Sequence, residues 1–252
     1  MLLTVLISVK ELSKLWNVCP SGVIHVGAHE AEEAKDYFSF SWGPTQWIEA
    51  QPGKIDFLKS KLADTQDSVI EGTVWSMSGI RKELLISNKS MSTSLLRFAE
   101  HSQIYPKIVE IAKIDVTTVT MDELLTGKIS GDFLNLDIQG AELEALKGFR
   151  EGIKEMKWIY TEVNKKEIYE NCALVSEIDS FLLTFNFSRV ATRWWRNDGW
   201  GDALYIRNDL IKSDEFGILI RKQIKALTWQ LKNAFRILAG IPLRFIKSEN
   251  SA

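Results

Sequence analysis

The stretch "NLDIQGAELEALKG", residues 135–148, decides the fold. An apolar run, Phe133-Leu134-Asn135-Leu136, ends on a carboxylate, Asp137, and Gly140 then lets the chain turn tightly. Leu143, Leu146 and Phe149 follow at helical spacing, and Glu144 with Lys147 makes an i,i+3 pair. A buried strand that finishes on an acid and turns at once into a helix is the building unit of a parallel α/β sheet. In such sheets ligands bind beyond the carboxyl ends of the strands, so the residues just after each strand are the ones to examine.

The rest of the chain repeats the unit. Residues 22–26 (GVIHV) predict a strand broken by Gly27-Ala28, and 30–40 have helical character. Residues 45–50 (TQWIEA) predict a strand ending on Glu49, and Pro52 opens a helix to about 62. A third strand spans 68–75. Further on, 82–86 and 115–119 read as extended, 88–94 (NKSMSTS) as a polar loop, and 121–125 as a short helix. Residues 157–163 predict another strand and 176–185 a helix. Residues 187–195 and 202–207 form a closing antiparallel pair around Asp198-Gly199. The sum is about seven strands with interleaved helices, an α/β fold.

With 252 residues, 45% hydrophobic and 25% charged, the chain builds a substantial core and is not disordered. The formal net charge of -2 hides an asymmetry. Residues 216–247 hold seven basic side chains and no acid, which leaves about -9 on the remainder. The predicted organisation is a helical lead-in (1–21), a main domain (22–210) and a basic amphipathic tail (211–252). In the tail Ile220, Ile224, Leu227, Leu231, Phe235 and Leu238 recur at helical spacing. Such a helix packs on the domain, on a second subunit, or on an anionic membrane surface. The acidic body repels polyanions, so no nucleic-acid partner is expected. Cys19 and Cys172 supply neither a metal spacing nor a disulfide framework, and the apolar start is too short and too interrupted for a signal peptide. A cytoplasmic, membrane-peripheral location is the expectation.

At the first strand end, Gly27-Ala28-His29 allows close backbone approach to a ligand. About twenty residues on, Glu49 is placed to accept hydrogen bonds from ribose hydroxyls. The G-x-G-x-x-G fingerprint is absent, since Glu30 and Ala31 stand where further glycines belong. That counts against a nicotinamide-dependent oxidoreductase and favours a nucleoside without phosphates. His25 lies within an apolar strand and reads as a core histidine.

Six blocks, "VIHVGAHEAEEA", "WIEAQP", "STSLL", "IDVTTVTMDELL", "FLNLDIQGAELEALKGF" and "WIYTEVN", occur in the order found in FkbM-type S-adenosylmethionine-dependent methyltransferases, which the chain resembles over residues 22–207. That family's first motif more often reads G-A-N-x-G, so His29 replaces an asparagine and Ala31 a glycine. The resemblance implies a class I methyltransferase fold, with seven strands of which one is antiparallel. It also implies O-methylation, often of sugar hydroxyls. S-adenosylmethionine would lie on Gly27, Ala28, His29, Glu49, Ala50, Trp75 and Asp137. Asp137 and Glu162, on neighbouring strands, are the catalytic acids and the candidate holders of a divalent ion such as Mg2+. His29 is an alternative base. Ser92, Thr93 and Trp194, within a polar loop and a tryptophan cluster that includes Trp195 and Trp200, are expected to meet a glycan or small-molecule acceptor. A non-sugar natural product as acceptor, a ribose hydroxyl of RNA, and a catalytically idle scaffold stand as the other readings.

Overall fold

The computed structural model describes residues 6–211, so the amphipathic tail lies outside the described residues. The strands, in chain order, are β1 (Val23–Val26), β2 (Thr45–Glu49), β3 (Ser68–Glu71), β4 (Thr73–Val74), β5 (Arg81–Ser87), β6 (Glu110–Val119), β7 (Phe133–Leu136), β8 (Trp158–Asn164), β9 (Phe187–Trp194) and β10 (Trp200–Arg207). The α-helices are α1 (Val9–Trp16), α2 (Ala34–Ser39), α3 (Pro52–Lys61), α4 (His101–Ile104), α5 (Met121–Leu124), α6 (Glu142–Lys147) and α7 (Val175–Leu183).

Seven strands form one sheet in the order β3-β2-β1-β7-β8-β10-β9. The first five run parallel, and β10 is antiparallel to both its neighbours. This is the class I methyltransferase sheet that the resemblance implies. The central strands are short and buried along their whole length, as parallel strands covered by helices must be. One face is apolar: Ile24, Ile48, Leu134, Leu136, Ile159 and Val163 pack with Leu146, Phe149, Ile178 and Leu182.

The opposite face carries a polar row, His25, Asn135 and Tyr160, in register across β1, β7 and β8. The Asn135 amide donates to the Tyr37 hydroxyl at 2.7 Å, and His25 Nδ1 lies 3.1 Å from that hydroxyl. Burial pushes the His25 imidazole down to about 3, so it is the neutral core histidine expected. The lead-in is tied onto this face. The Leu6 amide donates to Asp202 at 2.7 Å and the Ile7 amide to the Tyr160 hydroxyl at 3.1 Å. Ser8 and Glu11 then form a capping box that starts α1.

Two sequence expectations need correction. The strand expected over 68–75 is two strands. It breaks at Gly72, where a Cβ would stand 2.8 Å from Leu124 Cδ2, and β4 passes into a second sheet of order β4-β6-β5. The helix expected over 30–40 begins only at Ala34. His29 and Ala31 have φ of +46° and +51°, a left-handed conformation that interrupts a helix.

Candidate active site

A cavity of about 440 Å³ opens at the carboxyl ends of β1, β2 and β7. Gly27, Glu49 and Asp137, far apart in sequence, all line it. Gly27 has φ +88°, and a Cβ there would meet the Asp137 carbonyl oxygen at 1.9 Å, so only glycine lets the loops after β1 and β7 close together. The Asp137 amide donates to the Val26 carbonyl at 3.1 Å, which extends the pairing of these two strands by one residue.

Glu49 is buried at the end of β2. One carboxylate oxygen accepts the His29 amide at 2.8 Å and the other the Gln51 amide at 2.8 Å. Burial raises its pKa and these two amides oppose the rise. Each oxygen keeps a further lone pair for a ligand hydroxyl. Ala50 also lines the cavity. Ala28 is buried behind it, its amide held 3.0 Å from the Ile48 carbonyl.

His29 connects two loops. Its Nδ1 lies 2.6 Å from Glu32 and its Nε2 2.7 Å from the Ser90 hydroxyl. Both ring nitrogens are therefore engaged, and the alternative role as base gives way to one of holding the serine loop over the cavity.

The acids after β7 form a cluster. Asp137 and Glu162 reach the same amide: Gln139 Nε2 donates to Asp137 Oδ1 at 2.7 Å and to Glu162 at 3.1 Å. Gln139 sits at φ +56° directly before Gly140 at φ +97°, and this tight turn brings its side chain back over the strand end. The Tyr169 hydroxyl donates to Gln139 Oε1 at 2.5 Å, which fixes the amide's orientation. Glu142 turns inward and accepts the Ile138 and Gly140 amides at 3.1 and 3.0 Å, so it serves the turn. Burial, the Asp202 charge and other acids push Asp137 up to about 7, against the Gln139 hydrogen bond. Burial pushes Glu142 up to about 7 as well. Glu162 is raised well above the usual carboxylate range by burial and by the Asp137 charge.

The shared-cation expectation for Asp137 and Glu162 is corrected here, since an amide donor occupies the place between them. Among the described residues no group of three or more His, Cys, Asp or Glu side chains has metal-holding geometry.

The far wall is built from loops. Ser90, Ser92, Thr93 and Ser94 line it, and the Ser94 hydroxyl donates to the Gln139 carbonyl at 2.7 Å. Trp195 and Trp200 line it too, with ring centroids 5.7 Å apart. Two expected contacts lie elsewhere. Trp75 follows β4 with Lys82 Nζ 3.9 Å over its ring, and Trp194 packs on the apolar core with Lys165 Nζ 3.9 Å over it. Strand alternation turns Trp194 away and brings its neighbour Trp195 into the cavity. Gln139, Tyr169 and Glu142 were not foreseen as site residues. The "DIQGAE" block contains two of them, but their roles depend on the left-handed turn at Gln139.

The family described as "Methyltransferase FkbM domain" matches residues 25–189. Among solved structures, magnesium protoporphyrin IX methyltransferase from Synechocystis PCC 6803 with bound SAM is 10% identical, with TM-score 0.44, covering 79% of this chain and 76% of that one. A putative RNA methyltransferase from Pyrococcus horikoshii is 10% identical, with TM-score 0.44 and 81% of each chain covered. The glycopeptide N-methyltransferase MtfA is 8% identical, with TM-score 0.41, covering 79% and 88%. Likeness this distant says nothing of chemistry. No curated protein matches the chain. Among the described residues no helix is long and apolar enough to cross a membrane.

Proposed function

The chain belongs to the FkbM methyltransferase family, and from that premise we propose that it methylates a sugar hydroxyl at the expense of S-adenosylmethionine. One observation carries the reading: Gly27, Glu49 and Asp137 meet in a single cavity at the strand ends. The residues fit the cofactor. Glu49, fixed by two backbone amides, offers lone pairs to ribose hydroxyls, and the single glycine suits a nucleoside that brings no pyrophosphate. Gly27, the His29 backbone, Glu49, Ala50 and Asp137 would hold it. When bound, it supplies a methyl group on a sulfonium, open to in-line attack by an oxygen.

The chain's own residues supply alignment and proton removal. Gln139 holds Asp137 Oδ1 and leaves Oδ2 for the acceptor hydroxyl. A carboxylate that titrates near 7 is poised to take a proton at neutral pH and to release it afterwards. Glu162, its carboxyl raised by burial and by the Asp137 charge, shares the Gln139 amide beside it. The paired rings of Trp195 and Trp200 offer flat apolar faces for a sugar ring, and the serine loop offers hydroxyls to its edge.

The test is a mass-spectrometric screen of sugars, nucleotide-sugars, glycolipid fragments and non-sugar alcohols, with and without magnesium. A product heavier by one methylene, on a sugar oxygen, is the expected result. Methylation of the non-sugar alcohols alone defeats the sugar assignment.

A further inference from the structure

The acceptor end of the cavity holds charged and polar groups without an ionic or hydrogen-bonding counterpart among the described residues. Lys89 and Arg196 both line it, and among the described residues neither forms an ion pair. His101 is 3% exposed, and its Nδ1 has no hydrogen-bond partner among the described residues; nor has the buried Thr93 hydroxyl. A buried polar atom without a partner costs about 1–3 kcal/mol, and both residues belong to the lining of the cavity.

An aromatic row joins His101 to Arg196. The His101 ring centroid lies 5.2 Å from that of Tyr105, and the Tyr105 hydroxyl accepts Trp200 Nε1 at 3.0 Å. Trp200 faces Trp195, and the Arg196 guanidinium lies 5.1 Å from the centre of the Trp195 ring. At the other end the Lys89 charge is felt at His101: burial first, and that charge second, push the imidazole down to about 4. The imidazole is therefore neutral at pH 7, with one N–H to give. Asp198, the acid next to Tyr105, accepts its hydroxyl at 2.5 Å and is not part of the cavity wall, and Glu32, which is, lies 2.6 Å from His29 Nδ1.

Two cations, a hydroxyl and a neutral imidazole beside a stacking platform match the oxygens of a phosphate ester better than an uncharged sugar. Ammonium and guanidinium groups make their strongest hydrogen bonds to such oxygens. Resting on the sugar-methyltransferase reading above, we propose that the acceptor is a phosphorylated sugar, with its phosphate or pyrophosphate seated on Lys89, Arg196, His101 and Thr93. Sugar 1-phosphates, nucleotide-sugars and lipid-linked sugars share that chemistry.

Calorimetry on the full chain tests this with inorganic pyrophosphate as the probe. Saturable binding is expected, weakened at least tenfold in the Lys89→Gln/Arg196→Gln double variant and by a smaller factor in each single variant. S-adenosylhomocysteine, titrated into the same proteins, reports separately on the cofactor end and on folding. Absence of saturable pyrophosphate binding, or equal binding by wild type and every variant, overturns the proposal. Loss of S-adenosylhomocysteine binding in the wild type instead overturns the methyltransferase reading. Glucose, glucose 1-phosphate and UDP-glucose then separate the sources: the two phosphate esters should bind at least tenfold more tightly than glucose, and equal affinity for all three also overturns it.

Discussion

The two ends of the cavity are built in opposite ways. The end to which the proposal assigns the methyl donor rests on four adjacent parallel strands, and its polar groups are acids: Glu49, Asp137 and Glu162. The end to which it assigns the acceptor rests on the 88–108 segment and the β9–β10 turn, and carries aromatic, neutral and cationic groups: Trp195, Trp200, His101, Lys89 and Arg196. Hydrogen-bonded strands hold chemistry to a fixed geometry, whereas loops carry specificity and vary without disturbing the sheet. The contrast shows where changes should alter rate and where they should alter preference.

The contrast breaks if a donor-end change fails to slow the reaction. Asp137→Asn should lower kcat about 10²–10⁴-fold while S-adenosylhomocysteine still binds, as read by turnover and calorimetry. The same change should stabilise the fold at pH 8. A carboxyl whose native pKa is about 7 rather than 3.8 loses stability as pH rises between those values and carries the full deficit above 7. The gain should be present at pH 8 and vanish below about pH 4 in a denaturant series. In the wild type kcat/KM should fall as pH drops below about 7, because protonated Asp137 accepts no proton.

Glu49→Gln should weaken S-adenosylhomocysteine binding by about 10–100-fold, since an amide presents one acceptor where two backbone donors need two. At the acceptor end, Trp195→Ala should raise acceptor KM by about tenfold and leave kcat and cofactor affinity near wild type in steady-state kinetics. A comparable fall in kcat would erase the distinction between the ends. The smallest effect belongs to Ala31→Gly. Removing the Cβ at φ +51° should stabilise the fold by about 0.5–1 kcal/mol in thermal unfolding, with little change in rate.

The donor end was legible in sequence because its residues follow strands whose apolar runs are unmistakable. Gly27, Glu49 and Asp137 each stand one step beyond such a run. The acceptor end was half legible. The serine loop and the tryptophan cluster were expected there, yet the choice of Trp194 over Trp195 failed on a single step of strand alternation. Trp75 failed for a related reason: a strand read as continuous to residue 75 changes sheets at Gly72. Gln139 and Tyr169 are joined by a side-chain hydrogen bond across 30 residues, which no local pattern encodes. The substitutions at positions 29 and 31 could be seen as departures from the family motif. That both residues nevertheless keep the left-handed backbone favoured by asparagine and glycine became visible only in three dimensions.

The small sheet leaves and rejoins the body at one place. Thr73 pairs with Thr118 and Val74 with Val119, side by side and parallel, at the base of the 75–117 segment, whose far side is fastened by Ser90 to His29, by Ser94 to the Gln139 carbonyl and by the Ala99 and His101 amides to the Ile168 carbonyl. That segment contains the serine loop, Lys89, His101 and Tyr105 but none of Gly27, Glu49 and Asp137. A chimera that exchanges this segment would therefore have to bring the matching partners at positions 29, 139 and 168 with it, or lose the seam that closes the cavity.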